Sequence, residues 1–222
     1  MAECPWRAPF ENAHCAIFQF STLDNGAPRV RSHVLRDTLA PSSPPHSAHP
    51  ILVSTTDVRT PKVTQLAQSN RVEAVFWAAN TNEQYRIRGR AHVFPHRSLG
   101  GALHEKSSVF AQLKAEGFDW EAKRKEVFDA LKPDMRASWA RPTPGSPLLN
   151  LEDAEKWPRE LPTLEDAQDE ETRARVKEAY ANYALLIIEP EQVDFCELGV
   201  VPNQRTIFTR TEEGWDAQRV VP

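Results

Sequence analysis

Gln84-Tyr85-Arg86-Ile87-Arg88-Gly89-Arg90-Ala91-His92-Val93-Phe94 is the clearest periodic pattern in the sequence, and it decides the fold class. One face of the predicted strand carries the apolar or small residues Tyr85, Ile87, Gly89, Ala91 and Val93. The other face carries Gln84, Arg86, Arg88, Arg90 and His92. A strand with one apolar and one cationic face is typical of an antiparallel sheet or barrel. We expect Arg88 and Arg90 to face solvent.

The segments on either side of this strand predict more strands and a group of helices. Strands are predicted at 13–22, 29–36, 51–55, 71–79, 184–195, 205–209 and 215–220. Helices are predicted from Pro61 onward and at 98–115, 120–131, 133–140 and 171–183. The proline-rich segment 39–50 is predicted to be a loop with nothing that could pack a core, and 150–170 an exposed excursion. Antiparallel strands, inserted helices and closing strands indicate an α+β fold, a β-barrel with peripheral helices.

Composition excludes several classes of function. The 222 residues include only 8 glycines, and none of them falls into a Gly-rich dinucleotide or P-loop motif. The net charge of −4 disfavours general nucleic-acid binding. Three cysteines without C-x-x-C spacing favour a reducing compartment. With neither a long apolar run nor a visible signal peptide, the expected location is the cytoplasm, with no membrane association.

The common catalytic and metal-binding patterns are not found. The sequence has no G-x-S-x-G elbow and no His/Cys cluster with zinc spacing. His46 and His49 have H-x-x-H spacing, but they lie in the proline-rich loop without a nearby carboxylate or cysteine, so no metal site is predicted. Cys196 at a strand end is interpreted as a packing residue.

Basic and hydroxyl residues at strand ends predict an anion site. Arg31 and Arg36 bracket one strand, and the segment 54–62 (Ser-Thr-Thr-Asp-Val-Arg-Thr-Pro-Lys) leads from the next strand into a helix. Hydroxyls, a guanidinium, an ammonium and helix-start N–H groups within nine residues suit a bound phosphate. The alternative is an ordinary solvated surface, since exposed Arg and Lys are common.

Five stretches, in this order, resemble motifs of the pyridoxamine 5′-phosphate oxidase-like flavoproteins. Residues 29–36 (Arg-Val-Arg-Ser-His-Val-Leu-Arg) resemble their Arg-x-Val-Leu-Leu-Lys strand, and 52–62 resemble their strand-turn-helix carrying Thr-Asn…Ser-Arg-Lys. Residues 70–77 (Asn-Arg-Val-Glu-Ala-Val-Phe-Trp) and 83–89 (Glu-Gln-Tyr-Arg-Ile-Arg-Gly) resemble two further strands, and 203–222 resemble the C-terminus. The detail Asp-x-Arg-Thr-Pro-Lys is most similar to the flavin-binding-domain branch rather than to true pyridoxamine phosphate oxidases.

The resemblance implies a homodimeric split β-barrel, one domain over 1–222 with a helical insertion at about 98–183, holding FMN at the subunit interface. The implied cofactor-binding residues are Arg31, Ser32, His33, Arg36, Ser54, Thr55, Arg59, Thr60, Lys62, Gln84, Arg86 and Arg205. Of these, Arg31, Arg36, Arg59, Thr60 and Lys62 would hold the phosphate and ribityl chain. Ser54 and Thr55 would lie along the isoalloxazine, with Arg205 approaching from the C-terminal region and Gln84 reaching a ring carbonyl from the partner subunit.

One misfit accompanies this assignment. Strict strand alternation would point Arg31 and Arg36 to opposite faces. Either a bulge turns one of the two residues, or they serve different subunits.

Two departures from the family pattern bear on function. The family's Arg-x-His grip on pyridoxal phosphate would fall just before Arg205, where Val200-Val201-Pro202-Asn203 stand, and its Tyr-Phe…Arg-Pro…Ser strip is not visible at 103–141. The predicted function is therefore an FMN-dependent oxidoreductase of unknown small-molecule substrate, with NADPH, NADH or oxygen as redox partner. The alternatives are a non-catalytic flavin carrier or sensor, a pyridoxamine 5′-phosphate oxidase with a rearranged pocket, and a barrel that has lost its flavin.

Overall fold

Nine antiparallel strands form a single curved sheet in the computed structural model, which describes residues 4–100 and 107–222. The strands are β1 Ile17–Asp24, β2 Ala27–Val34, β3 Asp37–Leu39, β4 Ile51–Asp57, β5 Arg71–Ala78, β6 Glu83–Phe94, β7 Tyr183–Glu197, β8 Gln204–Arg210 and β9 Trp215–Val220. They pair in the order β2-β1-β5-β6-β7-β4-β3, and β8 pairs with both β7 and β9. The predicted α+β class, an antiparallel barrel with peripheral helices, is confirmed.

Strand β6 has the alternation that its sequence predicts. Tyr85, Ile87, Ala91 and Val93 are buried in the core, and Arg88 and Arg90 are exposed as expected. His92 departs from the pattern, since it is only 1% exposed on the polar face. A helix covers that end of the strand, and the ring of Phe110 lies 4.5 Å from the His92 ring, centroid to centroid.

Strand β7 is long enough to pair with two different strands along one edge. Its first half pairs with β4, from Leu52↔Ile188 to Asp57↔Tyr183, and its second half pairs with β8, from Gln192↔Thr209 to Glu197↔Gln204. Its other edge pairs with β6 almost throughout, with a register shift at Arg88/Gly89. The sheet therefore divides along β7 into two branches.

Two hydrophobic cores lie on opposite sides of β4 and β7. Ala184, Leu186 and Ile188 of β7 pack inside the barrel, whereas Tyr183, Leu185 and Ile187 pack against the helices. Because successive side chains of a strand point to opposite faces, a strand covered on both sides is apolar at every position.

Six α-helices complete the described structure. They are α1 Arg7–Asn12, α2 Pro61–Gln68, α3 Ser108–Ala115, α4 Trp120–Asp129, α5 Pro133–Ser138 and α6 Glu170–Asn182, with short 3₁₀ segments at Arg97–Leu99 and Leu151–Lys156. Helix α2 begins at Pro61 as predicted. The helix predicted at 98–115 is wrong at its start, where the chain forms a 3₁₀ turn, and 101–106 lie outside the described residues. None of the described helices is both long and apolar enough to cross a membrane.

Three features were missed or wrong at the sequence level. Helix α1 was not predicted; Trp6 and Phe10, one helical turn apart, are 0% and 2% exposed. The 39–50 loop does contribute to packing, because Ala48 is fully buried and its carbonyl accepts a 2.6 Å hydrogen bond from the Trp215 indole. The 150–170 segment is likewise anchored, with Leu161 only 3% exposed.

The two histidines of the 39–50 loop bond to each other and to backbone. His46 Nδ1 lies 2.9 Å from His49 Nδ1, and His49 Nε2 lies 3.3 Å from the Gly214 carbonyl oxygen. Within residues 4–100 and 107–222, no group of three or more His, Cys, Asp or Glu side chains is arranged to hold a metal ion.

Candidate functional site

A cleft of about 300 Å³ lies between the end of β2, the β4–α2 turn and helix α5. It is lined by Arg31, Ser32, His33, Val34, Arg36, Thr55, Thr56, Asp57, Thr60, Lys62, Met135, Ser138, Trp139 and Pro144. Seven of the residues predicted from sequence thus share one cleft: Arg31, Ser32, His33, Arg36, Thr55, Thr60 and Lys62. Ser54 lies directly behind it, bonded to His33.

Arg31 and Arg36 line the same cleft, although strict alternation would separate them. Strand β2 ends at Val34 and β3 begins at Asp37, so Arg36 lies in the gap between the two strands. Across this gap the backbone changes partner, because Leu35 N–H donates to Ala16 O and Arg36 N–H donates to Val53 O. This change of partner, and neither a bulge nor a second subunit, resolves the misfit.

Arg31 is held by neutral acceptors. Its guanidinium donates to Thr22 Oγ1 at 2.7 Å and to Gln65 Oε1 at 3.0 Å, and Thr22 in turn donates to Gln65. Burial lowers the pKa of Arg31. It forms no ion pair within the described residues, so its positive charge remains available to an anion.

Lys62 is a second cation without an ion-pair partner in the described structure. Its Nζ donates to Thr56 Oγ1 and Thr60 Oγ1, both at 3.2 Å. Burial and the nearby charge of Arg31 lower the pKa of Lys62 to about 8, against a smaller opposing effect of Asp57. The cleft therefore holds more positive charge than its own residues neutralise.

Arg36 is the third such cation. In the part of the chain that the structure describes, the only hydrogen bond of its guanidinium runs from Nη2 to the sulfur of Met135, at 3.9 Å, and its buried Nε has no hydrogen-bond partner. The buried Tyr183 hydroxyl also has none there, and the two groups influence each other electrostatically. Unpartnered buried donors are costly, so this arrangement suits a polar group supplied from outside.

His33 contributes a neutral ring to the cleft. Burial, together with the charges of Lys62 and Arg31, lowers the pKa of His33 to about 3. The hydroxyl of Ser54 donates to Val34 O at 2.8 Å and lies 3.2 Å from His33 Nδ1. Because that hydroxyl has one hydrogen, already donated, His33 Nδ1 is the donor in the bond to Ser54.

Arg59 does not line the cleft. Its guanidinium is bonded to the carboxylate of Asp57, with Nη2 to Oδ2 at 2.7 Å, and to carbonyl oxygens beyond α5. In this conformation four of the five N–H donors of Arg59 are bonded to Asp57, Trp139 and Arg141. That Arg59 holds the phosphate stays a prediction.

Gln84, Arg86 and Arg205 lie apart from the cleft within this chain. They lie on β6 and β8, where Gln84 is opposite Cys196 and Cys196 is opposite Arg205 in the sheet register. Arg205 makes a bidentate pair with Asp194 at 2.8–2.9 Å, and Arg86 binds the same carboxylate. Most of the predicted residues thus fall into two sets. The cleft set is Arg31, Ser32, His33, Arg36, Thr55, Thr60 and Lys62, and the sheet-face set is Gln84, Arg86 and Arg205; Ser54 and Arg59 belong to neither.

Sequence reasoning missed the wall that helix α5 contributes to the cleft. Met135, Ser138, Trp139 and Pro144 line it. The proline spacing at 133–147 indicated only where the helix begins and stops, since no periodic pattern tells which outside element a helix end will face.

Residues 5–95 match the family described as "Pyridoxamine 5'-phosphate oxidase, FMN-binding domain", the range that contains every predicted residue of the cleft set. Over these residues, less than half of the chain, it is similar to the pyridoxamine 5′-phosphate oxidase-like FMN-binding family. It is also similar to an Arabidopsis thaliana protein named pyridoxine/pyridoxamine 5′-phosphate oxidase 2, with 26% identity over 95% of this chain and 89% of that protein.

Two solved structures share the fold of this chain. A pyridoxamine 5′-phosphate oxidase-related, FMN-binding protein from Nostoc punctiforme superposes with a TM-score of 0.71 at 22% identity, over 100% of both chains. PhzG from Burkholderia lata, solved with tetrahydrophenazine-1-carboxylic acid, superposes with a TM-score of 0.58 at 14% identity, over 98% of this chain and 89% of that one. At these identities the likeness concerns the split-barrel fold.

The donor set of the cleft fits the phosphate end of FMN. A phosphate monoester carries a charge of about −2 near neutral pH and accepts several hydrogen bonds, which Arg and Lys side chains satisfy well. Arg31, Lys62 and Arg36 form no ion pair among the described residues, and Ser32, Thr55 and Thr60 add hydroxyls. Arg36 Nε, which has no hydrogen-bond partner in that part of the chain, is the kind of buried donor that a bound anion would satisfy.

Proposed function

We propose that this chain binds FMN in the cleft, with the phosphate among Arg31, Arg36 and Lys62, and acts as an oxidoreductase on a small molecule. The observation that carries the proposal is the group of three cations at one cleft, none of which forms an ion pair in residues 4–100 or 107–222. By contrast, Arg59, Arg86 and Arg205 are all paired with carboxylates. Three unneutralised charges would be unfavourable together unless an anion joined them.

The same proposal assigns the sheet-face set to a second subunit. Gln84, Arg86 and Arg205 do not line the cleft of their own chain. In a homodimer they would approach the cleft of the partner chain. The face that carries them is partly apolar, since Trp77, opposite Gln84, is 46% exposed. A two-fold dimer would use this face twice and complete two identical sites.

FMN, when bound, supplies electron-transfer chemistry, while the protein supplies binding, orientation and electrostatics. On this proposal the residues of the cleft hold the cofactor, and His33 stays neutral so that it adds no further charge. We propose reduced nicotinamide, NADPH or NADH, as the electron donor, or oxygen as the acceptor. The three free cysteines support a reducing, cytoplasmic location.

The absorbance spectrum and an FMN titration test this function. We expect flavin bands in the purified protein, or uptake of added FMN by flavin-free protein. Lys62→Gln and Arg31→Gln should each weaken FMN binding by about tenfold or more, because charge-assisted hydrogen bonds contribute about 1.5–3 kcal/mol each. Arg71→Gln is the matched control, since Arg71 is exposed on β5 and does not line the cleft. Protein that neither contains nor takes up FMN would contradict the proposal.

Anaerobic mixing with NADPH and with NADH separates an enzyme from a carrier. Loss of the flavin absorbance with either donor supports the oxidoreductase. Flavin that is bound but reduced by neither donor supports instead a carrier or sensor.

The second candidate function is oxidation of pyridoxamine 5′-phosphate, which the name of the Arabidopsis relative favours. Against it, Val200-Val201-Pro202-Asn203 stand where the family places a phosphate grip, and Val201 is 98% exposed. Release of hydrogen peroxide on adding pyridoxamine 5′-phosphate to the FMN-loaded protein would support this candidate, and no release would exclude it.

A further inference from the structure

Arg59 and Asp57 form an ion pair within the turn that joins β4 to α2. Arg59 Nε lies 3.0 Å from Asp57 Oδ1, Nη2 lies 2.7 Å from Oδ2, and the backbone N–H of Arg59 donates to Oδ1 at 2.8 Å. The two side chains are only 21% and 9% exposed. The charge of Arg59 is therefore neutralised by its own turn.

The rest of the guanidinium reaches the helical segment that follows the barrel's first six strands. Nη1 donates to Arg141 O at 2.9 Å and Nη2 donates to Trp139 O at 3.1 Å. These carbonyls lie just beyond the C-terminal end of α5, where helix carbonyls lack partners within the helix. Arg59 thus joins the β4–α2 turn to the end of α5.

Two further bonds hold the same junction. The Trp139 indole N–H donates to Thr56 O at 3.3 Å, and the Asn182 side chain donates to Trp139 O at 2.9 Å. Met135, Ser138 and Trp139 form the α5 wall of the cleft. The position of that wall therefore depends on contacts that Arg59 makes.

We propose that Arg59 is a positioning residue that fixes the α5 wall of the flavin cleft, and is not a ligand of the phosphate. The proposal rests on the proposed function, because it takes the cleft to be the flavin site. Of the five N–H donors of a guanidinium, four are committed to Asp57, Trp139 and Arg141. Turning Arg59 toward a phosphate would leave the buried Asp57 carboxylate unpaired beside a second anion.

The consequence is that the helical segment contributes to cofactor recognition. Lys62, on the first turn of α2, faces the cleft and provides charge, whereas Arg59, three residues earlier, provides geometry. A substitution of Lys62 should weaken only the binding of the phosphate group. A substitution of Arg59 should weaken the binding of any flavin that contacts the α5 wall, with or without a phosphate.

Comparison of FMN with riboflavin, which has the same ring system but no phosphate, separates these roles. The measured quantity is the ratio of the two dissociation constants. We expect Lys62→Gln to lower the preference for FMN by about tenfold, and Arg59→Gln to weaken both flavins by a similar factor while leaving the ratio unchanged. Arg71→Gln should change neither dissociation constant.

Amide hydrogen exchange of the flavin-free protein measures the stability of the α5 wall without any bound cofactor. Arg59→Gln should raise exchange at 133–142, and Lys62→Gln should not. If Arg59→Gln does not fold, Arg59→Lys replaces it in both measurements. An ammonium keeps the positive charge but cannot bind the Asp57 carboxylate and two carbonyl oxygens at the same time. A loss of FMN preference in either Arg59 variant, or unchanged exchange at 133–142, would overturn the proposal. If the parent protein bound neither flavin, the proposed function would fail, while the exchange result would still decide whether Arg59 holds the wall.

Discussion

Lys62 Nζ lies 3.2 Å from the hydroxyl oxygen of Thr60 and, among the described residues, has only hydroxyl oxygens as hydrogen-bond acceptors. Burial and Arg31 lower the pKa of Lys62 to about 8. The ammonium therefore begins to lose its charge within an accessible pH range, although an unperturbed lysine would stay charged to about pH 10.

We expect the affinity for FMN to fall as the pH rises above 8. The bound phosphate favours the charged lysine, so above the pKa of flavin-free Lys62 binding requires uptake of a proton, and the dissociation constant should rise by up to about tenfold per pH unit. Fluorescence titrations between pH 7 and 9.5 measure this. Lys62→Arg should remove the dependence, because a guanidinium stays charged throughout. A wild-type affinity that does not change with pH would contradict the prediction, with riboflavin as the phosphate-free control.

His33 should make the flavin-free protein less stable in acid. Its pKa is lowered to about 3, by burial first and then by Lys62 and Arg31, whereas in the unfolded chain it is about 6.5. Between these values the unfolded state binds more protons than the native state, so the free energy of unfolding rises with pH over this window and falls on acidification. Relative to pH 7, this residue lowers the free energy of unfolding at pH 4.5 by about 2.5 kcal/mol.

Urea unfolding of the flavin-free protein at pH 4.5 and at pH 7 tests the role of His33. His33→Gln removes the titrating ring and keeps a polar side chain, so the difference in unfolding free energy between the two pH values should shrink by about 2.5 kcal/mol relative to wild type. An equal difference in the two proteins would show that His33 does not cause the acid sensitivity.

Gly89 is required by a close approach between β6 and β7. A Cβ atom placed there would lie 2.0 Å from the carbonyl oxygen of Glu189, in backbone that cannot move aside as a flexible side chain could. We expect Gly89→Ala to lower the free energy of unfolding by about 3 kcal/mol, because overpacking forces the two strands apart. Arg88→Ala is the control. Arg88 is the residue before Gly89 and is exposed, so its substitution should change the free energy of unfolding by less than about 0.5 kcal/mol. Equal unfolding midpoints for the two variants would contradict this account.

Much of the barrel was predictable because its strands carry local patterns. The alternation in β6 shows directly which side chains enter the core, and the proline at the start of α2 marks a helix start by its fixed φ and missing N–H. The patterns do not show where two distant segments meet. The burial of His92 under Phe110 and the burial of Ala48 in the proline-rich loop depend on contacts between segments that are distant in sequence.

The candidate site shows the same division. The charged and hydroxyl residues from Arg31 to Lys62 could be grouped from sequence because they lie at strand ends and near a helix start. The role of Arg59 could not be inferred, since its partners Trp139 and Arg141 lie about 80 residues away. A guanidinium looks the same in sequence whether a neighbouring chain segment or a ligand uses its donors.

Complementary variants can test whether a partner chain completes the site. Lys62→Gln removes a cation from the cleft, and Gln84→Glu replaces an amide on the sheet face with a carboxylate. The side chain of Gln84 makes no hydrogen bond within the described residues, so this change breaks no bond inside its own chain there. In a two-fold dimer whose sites combine one cleft with the other chain's face, each variant alone has two damaged sites. Random exchange of subunits would make half of the dimers mixed, each with one intact site, so about one quarter of all sites should regain wild-type FMN affinity. Titration with FMN after mixing the two proteins under dissociating conditions, and light scattering to measure the mass, check this. A monomeric mass, or no recovery of tight sites in a dimeric mixture, would show that Gln84 does not act from a second subunit.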